Sequence, residues 1–245
     1  SITKLSHLHF VSTKEYQDRV LQMGEEPWRV IISGAPSLDN VHSVKLLDRG
    51  KLEADTDLRL DGDPLLVTYH PVTPEYEQTE WQVTELLEAL SECSLPLIFT
   101  MPNADTNGRI IIRMLEEFVS SHPQAQMTKN LGTRAYFSLM ACASAMVGNS
   151  SSGIIEAPSF RLPVVNIGTR QQGRIRARNV IDVGYDRSKI MRGIKTVVDP
   201  AFRLELQGLS NPYGDGHAAE KIVEKLTAIP LDETLIRKRF HESPL

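Results

Sequence analysis

The residues best suited to chemistry lie between Met146 and Gly173, in the stretch MVGNSSSGIIEAPSFRLPVVNIGTRQQG. A short apolar run stops at Gly148. Three serines follow, including Ser150 and Ser151, and a helical pattern then opens with Glu156 about a turn and a half inside it. A second apolar run, Val164 to Ile167, ends in Gly168-Thr169-Arg170. Such a turn gathers free backbone N–H groups, hydroxyls and the positive end of a helix dipole at one point, and these are the donors a phosphate needs. Serine is also a common N-cap, and a strand–turn–helix unit needs no ligand. This stretch alone is compatible with both readings.

The elements around it strengthen the phosphate reading. Short β-rich apolar runs predict strands at Leu8–Val11, Val30–Ser33, Leu65–Tyr69, Leu97–Thr100, Gln126–Lys129, Ala145–Gly148, Val164–Ile167 and Val180–Val183. Helical periodicity separates them, as at Glu80–Glu92, Gly108–Ser121 and Arg134–Cys142. This alternation predicts an α/β protein, with one parallel sheet drawn from the strands between about Val30 and Val183 and helices on both faces. In open α/β sheets a ligand sits beyond the carboxyl ends of the strands. Those ends carry His70, Asn103, Leu131 with Gly132, Ser150 with Ser151, and Arg170.

Composition narrows the class. The 245 residues, 41% of them hydrophobic, suffice for one large core or two smaller ones. A net charge of −4 argues against nucleic acid or an anionic membrane as the main partner. Basic residues do cluster locally: Arg170, Arg174, Arg176 and Arg178 lie in a run without acids, and predict a positive rim facing a phosphorylated ligand. Cys93 and Cys142 are isolated in helical patterns and read as small core residues of a reducing compartment. With no signal-peptide pattern and no run approaching the ~20 apolar residues of a membrane helix, the expected location is cytoplasmic. No Cys/His cluster suggests a structural metal, and no cofactor is expected.

The segment SITKLSH reads as the end of a helix, and LHFVS with Thr13–Gly24 as one strand and one helix without sheet neighbours nearby in sequence. A lone βα unit cannot bury both faces, so it is expected to belong to a sheet that is mostly missing from this sequence.

The segments SITKLSHLHFVST, VIISGAPSLDN, TYHPVT, MPNADTNG, GNSSSGIIEAPSF, PVVNIGTRQQGR and NPYGDGHA resemble, in order and spacing, the C-terminal portion of the hydrolysing UDP-N-acetylglucosamine 2-epimerases, which make N-acetylmannosamine for sialic acid and related nonulosonate biosynthesis. The resemblance implies a two-domain fold of the glycosyltransferase-B type, with UDP-sugar in the cleft between two Rossmann-like domains. It implies a remnant of the first domain in residues 1–38, the UDP-binding domain in 39–217, and helices returning toward the first domain in 218–245. By motif, His70 would approach the diphosphate or the sugar and serve as the catalytic candidate, while Asn103 would face the sugar nucleotide. Leu131 would meet uracil through main-chain atoms. Ser150 and Ser151 would hold the diphosphate, Glu156 the ribose hydroxyls, and Arg170 would complete the anion site. The implied partners are UDP and UDP-N-acetylglucosamine, with homo-oligomers at full length.

The implied reaction is anti elimination of UDP to a 2-acetamidoglucal, followed by addition of water. The carboxylate base would come mainly from the family's first domain. Three alternatives remain: a UDP-2,4-diacetamido-trideoxy sugar as substrate, a UDP-sugar glycosyltransferase of the same superfamily, and a non-catalytic nucleotide-sensing module. Gly214-Asp215-Gly216 reads as a turn before a helix from Ala218, and His217 as no catalytic candidate.

Overall fold

The computed structural model describes residues 1–102 and 108–242. Among the described residues eight strands form: β1 (His9–Val11), β2 (Val30–Ile32), β3 (Leu65–Thr68), β4 (Leu97–Thr100), β5 (Ala125–Thr128), β6 (Ala145–Gly148), β7 (Val164–Ile167) and β8 (Val180–Val183). All eight lie where the apolar runs predict them, β5 one residue earlier.

Residues 45–210 make one compact unit. Its six-stranded sheet has the order β5-β4-β3-β6-β7-β8, with every pair parallel. β3, β4, β6 and β7 are buried along almost their whole length, as expected of parallel strands covered on both faces. Side chains alternate between the two faces. Leu65, Val67, Phe99, Val147, Val165 and Ile167 share one cluster with Val83, Leu86 and Leu90 of the helix Thr79–Ser91, Ile111 and Leu115 of Gly108–Ser121, and Ile190 and Ile194 of Arg187–Val197. On the other face the short helix Ser152–Ile155 comes so close that a Cβ on Gly153 would stand 2.9 Å from Val164 Cγ1. Each fully buried aliphatic side chain of this core contributes about 1.5–3 kcal/mol relative to exposure.

Chain order reverses between β3 and β6: β4 and β5 continue on one side, β7 and β8 on the other. This is the topological switch point of a doubly wound sheet, where the loops diverge and leave a crevice at the carboxyl ends.

Residues 1–44 and 211–245 form the other compact unit. Here two expectations need correction. First, β2 does not join the large sheet; it pairs in parallel with β1, in the register His9↔Val30, Phe10↔Ile31 and Val11↔Ile32. Second, the compact units divide at 44/45 and 210/211, six and seven residues from the divisions expected at 38/39 and 217/218. The reason is local bonding. The Asp39 carboxylate accepts from Ala218 N at 2.8 Å and Ala219 N at 2.7 Å, capping the helix Ala218–Ala228 from elsewhere in the chain. Ala35 N donates to Tyr213 O at 2.7 Å, which draws the NPYGDG turn into this unit.

Two buried charges tie the chain ends of this unit together. Arg29, fully buried, donates to the carbonyls of His7, Thr234, Leu235 and Arg237 and pairs with Glu26 at 2.7 Å. Glu25, only 1% exposed, meets Lys4 and His9 at 3.0 Å each and Lys238 at 2.7 Å. Among the described residues, no helix is long and apolar enough to cross a membrane.

Candidate functional site at the switch point

The switch point is built from two strand ends in register, Thr68 of β3 beside Gly148 of β6. Gly148 adopts φ +134°, and a Cβ there would lie 2.0 Å from Thr68 O. Only glycine permits this approach. Asn149, completely buried, continues the seam. Its main-chain N–H donates to Thr68 O at 3.1 Å. Its side-chain Oδ1 accepts from His70 N at 2.7 Å, and its Nδ2 donates to His70 O at 2.8 Å. A side-chain amide thus supplies the donor and acceptor of one further ladder step where main-chain pairing ends.

The main-chain carbonyl of Asn149 faces the next loop. It accepts from Arg170 Nη1 at 3.0 Å and from Gln171 Nε2 at 2.8 Å. One residue therefore joins the ends of β3, β6 and β7, and brings His70, Ser150 and Arg170 to one place. Gln171 is buried, and its Oε1 has no hydrogen-bond partner among the described residues.

Ser151 occupies the N-cap of the helix Ser152–Ile155, and Ser150 Oγ lies 3.4 Å from Ser152 N. The helix is shorter than its pattern predicts. Glu156 is its C-cap rather than an interior residue, and a 3-10 turn, Ala157–Phe160, follows. Pro158 lacks the N–H that a continuing α-helix would use. Glu156 is nonetheless buried beside the serines. Tyr136 reports that proximity: burial pushes its phenol upward, hydrogen bonds with Ser152, Thr68 and Ser150 pull it down, and the Glu156 carboxylate pushes it up again, leaving it raised.

Leu131 lies farther along the same edge of the sheet. Leu131, half-buried, is the N-cap of the helix Gly132–Cys142 after edge strand β5. It stands three strands from β6, or about 14 Å at the usual spacing. Asn103 lies outside the described residues. The positive rim is narrower than expected. Arg176 pairs with Asp182 at 2.6 Å, and Arg178 donates to Gln207 O at 3.2 Å. Arg170 is the member bonded to the seam.

Two residues here escaped the sequence reading. One is Asn149, whose type suggests only a turn. The other is Glu75, in the 3-10 segment Thr73–Gln78. Its carboxylate accepts from Tyr185 OH at 2.6 Å, Gln82 Nε2 at 2.7 Å and the Thr169 hydroxyl. Burial alone would raise Glu75, but the hydrogen bonds from Thr169, Tyr185 and Gln82 outweigh it and hold the carboxyl below its usual range. Glu75 thereby braces the loop after β3 against the loop carrying Arg170. Among the described residues no group of three His, Cys, Asp or Glu side chains could hold a metal ion.

A parallel doubly wound sheet with serines, a histidine and an arginine gathered at its switch point defines a Rossmann-like fold. The UDP-N-acetylglucosamine 2-epimerase family description matches residues 1–227, and the chain belongs to that family. It is 44% identical over 185 residues to the GDP/UDP-N,N'-diacetylbacillosamine 2-epimerase (hydrolyzing) of Campylobacter jejuni, covering 74% of this chain and 48% of that protein. It is 36% identical over 239 residues to the UDP-N,N'-diacetylbacillosamine 2-epimerase (hydrolyzing) of Legionella pneumophila, covering 97% and 62%. The chain thus spans between 48% and 62% of these two relatives. Among solved structures, the UDP co-structure of S. aureus MnaA aligns with a TM-score of 0.74 at 20% identity, over 99% of this chain and 64% of that one. The fold is that of the glycosyltransferase-B type epimerases.

Proposed function

We propose that this chain carries the UDP site of a hydrolysing UDP-sugar 2-epimerase. The observation that carries the reading is the joining of His70, Ser150 and Arg170 around buried Asn149 at the sheet's switch point. In this reading Ser150, Ser151 and Arg170 hold the diphosphate, where hydroxyls, N–H groups and a guanidinium meet growing negative charge as UDP departs. Glu156 accepts from the ribose hydroxyls, the Leu131 main chain meets uracil, and Asn103 faces the sugar. His70 reaches toward the sugar–diphosphate link.

The reaction removes the C2 proton while the C1–O bond to UDP breaks, leaving a C1=C2 double bond. Water then adds across it with the opposite configuration at C2. The first step needs a carboxylate base with a pKa suited to proton transfer. Glu75 is ill suited, since its three hydrogen bonds stabilise the charged form. Glu75 therefore serves better as a brace than as the base. The full enzyme works in the cytoplasm as a homo-oligomer.

The names of the two curated relatives favour a UDP-2,4-diacetamido-trideoxy sugar as substrate. UDP-N-acetylglucosamine, yielding N-acetylmannosamine, is the second reading, supported by the family's own description. Calorimetric titration of the chain with UDP tests the site, and absence of binding would sink the reading. NMR of the sugar released by the full-length enzyme from each substrate decides between the two sugars.

A further inference from the structure

Asn149 has no solvent exposure, yet it sits between two residues assigned to the ligand. A buried carboxamide in a sheet seam needs both its donor and its acceptor satisfied, and here both go to a single residue, the N–H and C=O of His70. Few side chains can do this. Aspartate of the same shape would set an oxygen against His70 O, alanine offers neither group, and glutamine is one methylene too long for the same seat.

The main chain of Asn149 is itself fixed. Gly148 allows contact with Thr68, Asn149 N donates to Thr68 O, and Asn149 O accepts from Arg170 and Gln171. Without the amide pair, His70 would be the second residue beyond β3, between Tyr69 and Pro71, in a loop whose next segment begins only at Thr73. With it, the backbone from which the imidazole projects gains the donor and the acceptor of a ladder step.

We infer that Asn149 is a positioning residue for His70, its side-chain amide fixing the main chain that presents the imidazole to the nucleotide. The inference rests on the UDP site proposed above.

The test uses the chain as it stands, with UDP as the probe. Titrations compare the unaltered chain with Asn149→Asp, His70→Ala and the double variant, each checked for folding by circular dichroism. Asn149→Asp is expected to bind UDP about tenfold more weakly. In the His70→Ala background the same change is expected to cost under about twofold, because no imidazole remains to be placed. A merely structural asparagine would lower the melting temperature and leave UDP affinity unchanged, or show the same loss in both backgrounds. Either result overturns the inference. Asn149→Ala repeats the comparison should the aspartate variant not fold. Amide hydrogen exchange on the unaltered chain, without UDP, is expected to protect His70 N–H like the amides of β3; exchange at the rate of an exposed loop would overturn the clamp directly. Failure of the unaltered chain to bind UDP would sink the functional reading and this inference together, whereas binding unaffected by Asn149→Asp would sink this inference alone.

Discussion

The Cα of Gly148 approaches Thr68 so closely that a single added methyl would lie 2.0 Å from the Thr68 carbonyl oxygen. The contact is backbone on backbone, so no rotamer change can relieve it. Gly148→Ala is expected to destabilise the chain by about 2–5 kcal/mol, combining a left-handed φ with overpacking. Chemical denaturation measures this, and a loss below about 1 kcal/mol would show that the seam can part at little cost.

Arg170 and Glu156 are expected to contribute separately to UDP affinity. Arg170→Ala and Glu156→Ala should each weaken binding by about 1.5–3 kcal/mol, the usual worth of hydrogen bonds to charged groups. Calorimetry on both variants checks this, and unchanged affinity in both would place the nucleotide elsewhere.

Glu75 braces the Thr169–Arg170 loop without lying at the seam. Glu75→Ala leaves Gln82 Nε2 and the Tyr185 hydroxyl without their acceptor, and is expected to cost about 1–3 kcal/mol of stability. UDP affinity should fall with it, through the freed loop. Melting curves with and without UDP separate the two effects; a stability loss with unchanged affinity would deny Glu75 any part in placing Arg170.

Acid should loosen the unit formed by residues 1–44 and 211–245. Burial alone would raise Glu25, but its hydrogen bonds with Lys238, Lys4 and His9 prevail and lower it from 4.5 to about 2. A carboxylate depressed by folding stabilises fully above its unfolded value of 4.5 and loses that contribution as pH falls toward 2. The loss should be on the order of 2–3 kcal/mol. Glu25→Gln is expected to flatten the dependence of melting temperature on pH in that window. A variant as acid-sensitive as the unaltered chain would show that other carboxylates govern the unit.

The chain is expected to bind UDP yet release no free sugar from UDP-N-acetylglucosamine or from the diacetamido sugar. A positioned base alone accounts for about 10²–10⁴-fold of rate. NMR of the sugar in the same sample that binds UDP measures this, and ready turnover would place the base within these residues.

The eight strands were legible because a parallel strand buried on both faces is written as an unbroken apolar run, such as Leu65–Thr68 or Val164–Ile167. The placement of Ser150, Ser151 and Arg170 beyond β6 and β7 was legible because each follows such a run. Helix lengths were less so: Glu156 fits a longer helical pattern, but its helix stops at Ile155. Propensity reports what a residue tolerates, not where packing ends the element.

What the sequence determined by itself was local: the alternation of strands and helices, the strand bounds to within a residue, and the polar groups waiting at the strand ends. Pairing belonged to the tertiary structure. Nothing in the run Val30–Ile32 tells it to pair with His9–Val11 instead of the large sheet, because hydrogen bonds between strands are made by backbones that are alike in every residue but proline. Strand order, and with it the switch point between β3 and β6, arises only when helices must cover both faces of one sheet. Asn149 and Glu75 take their roles from partners 79 and 110 positions away, His70 and Tyr185, and a side chain's partner at that range is chosen by the fold that brings them together.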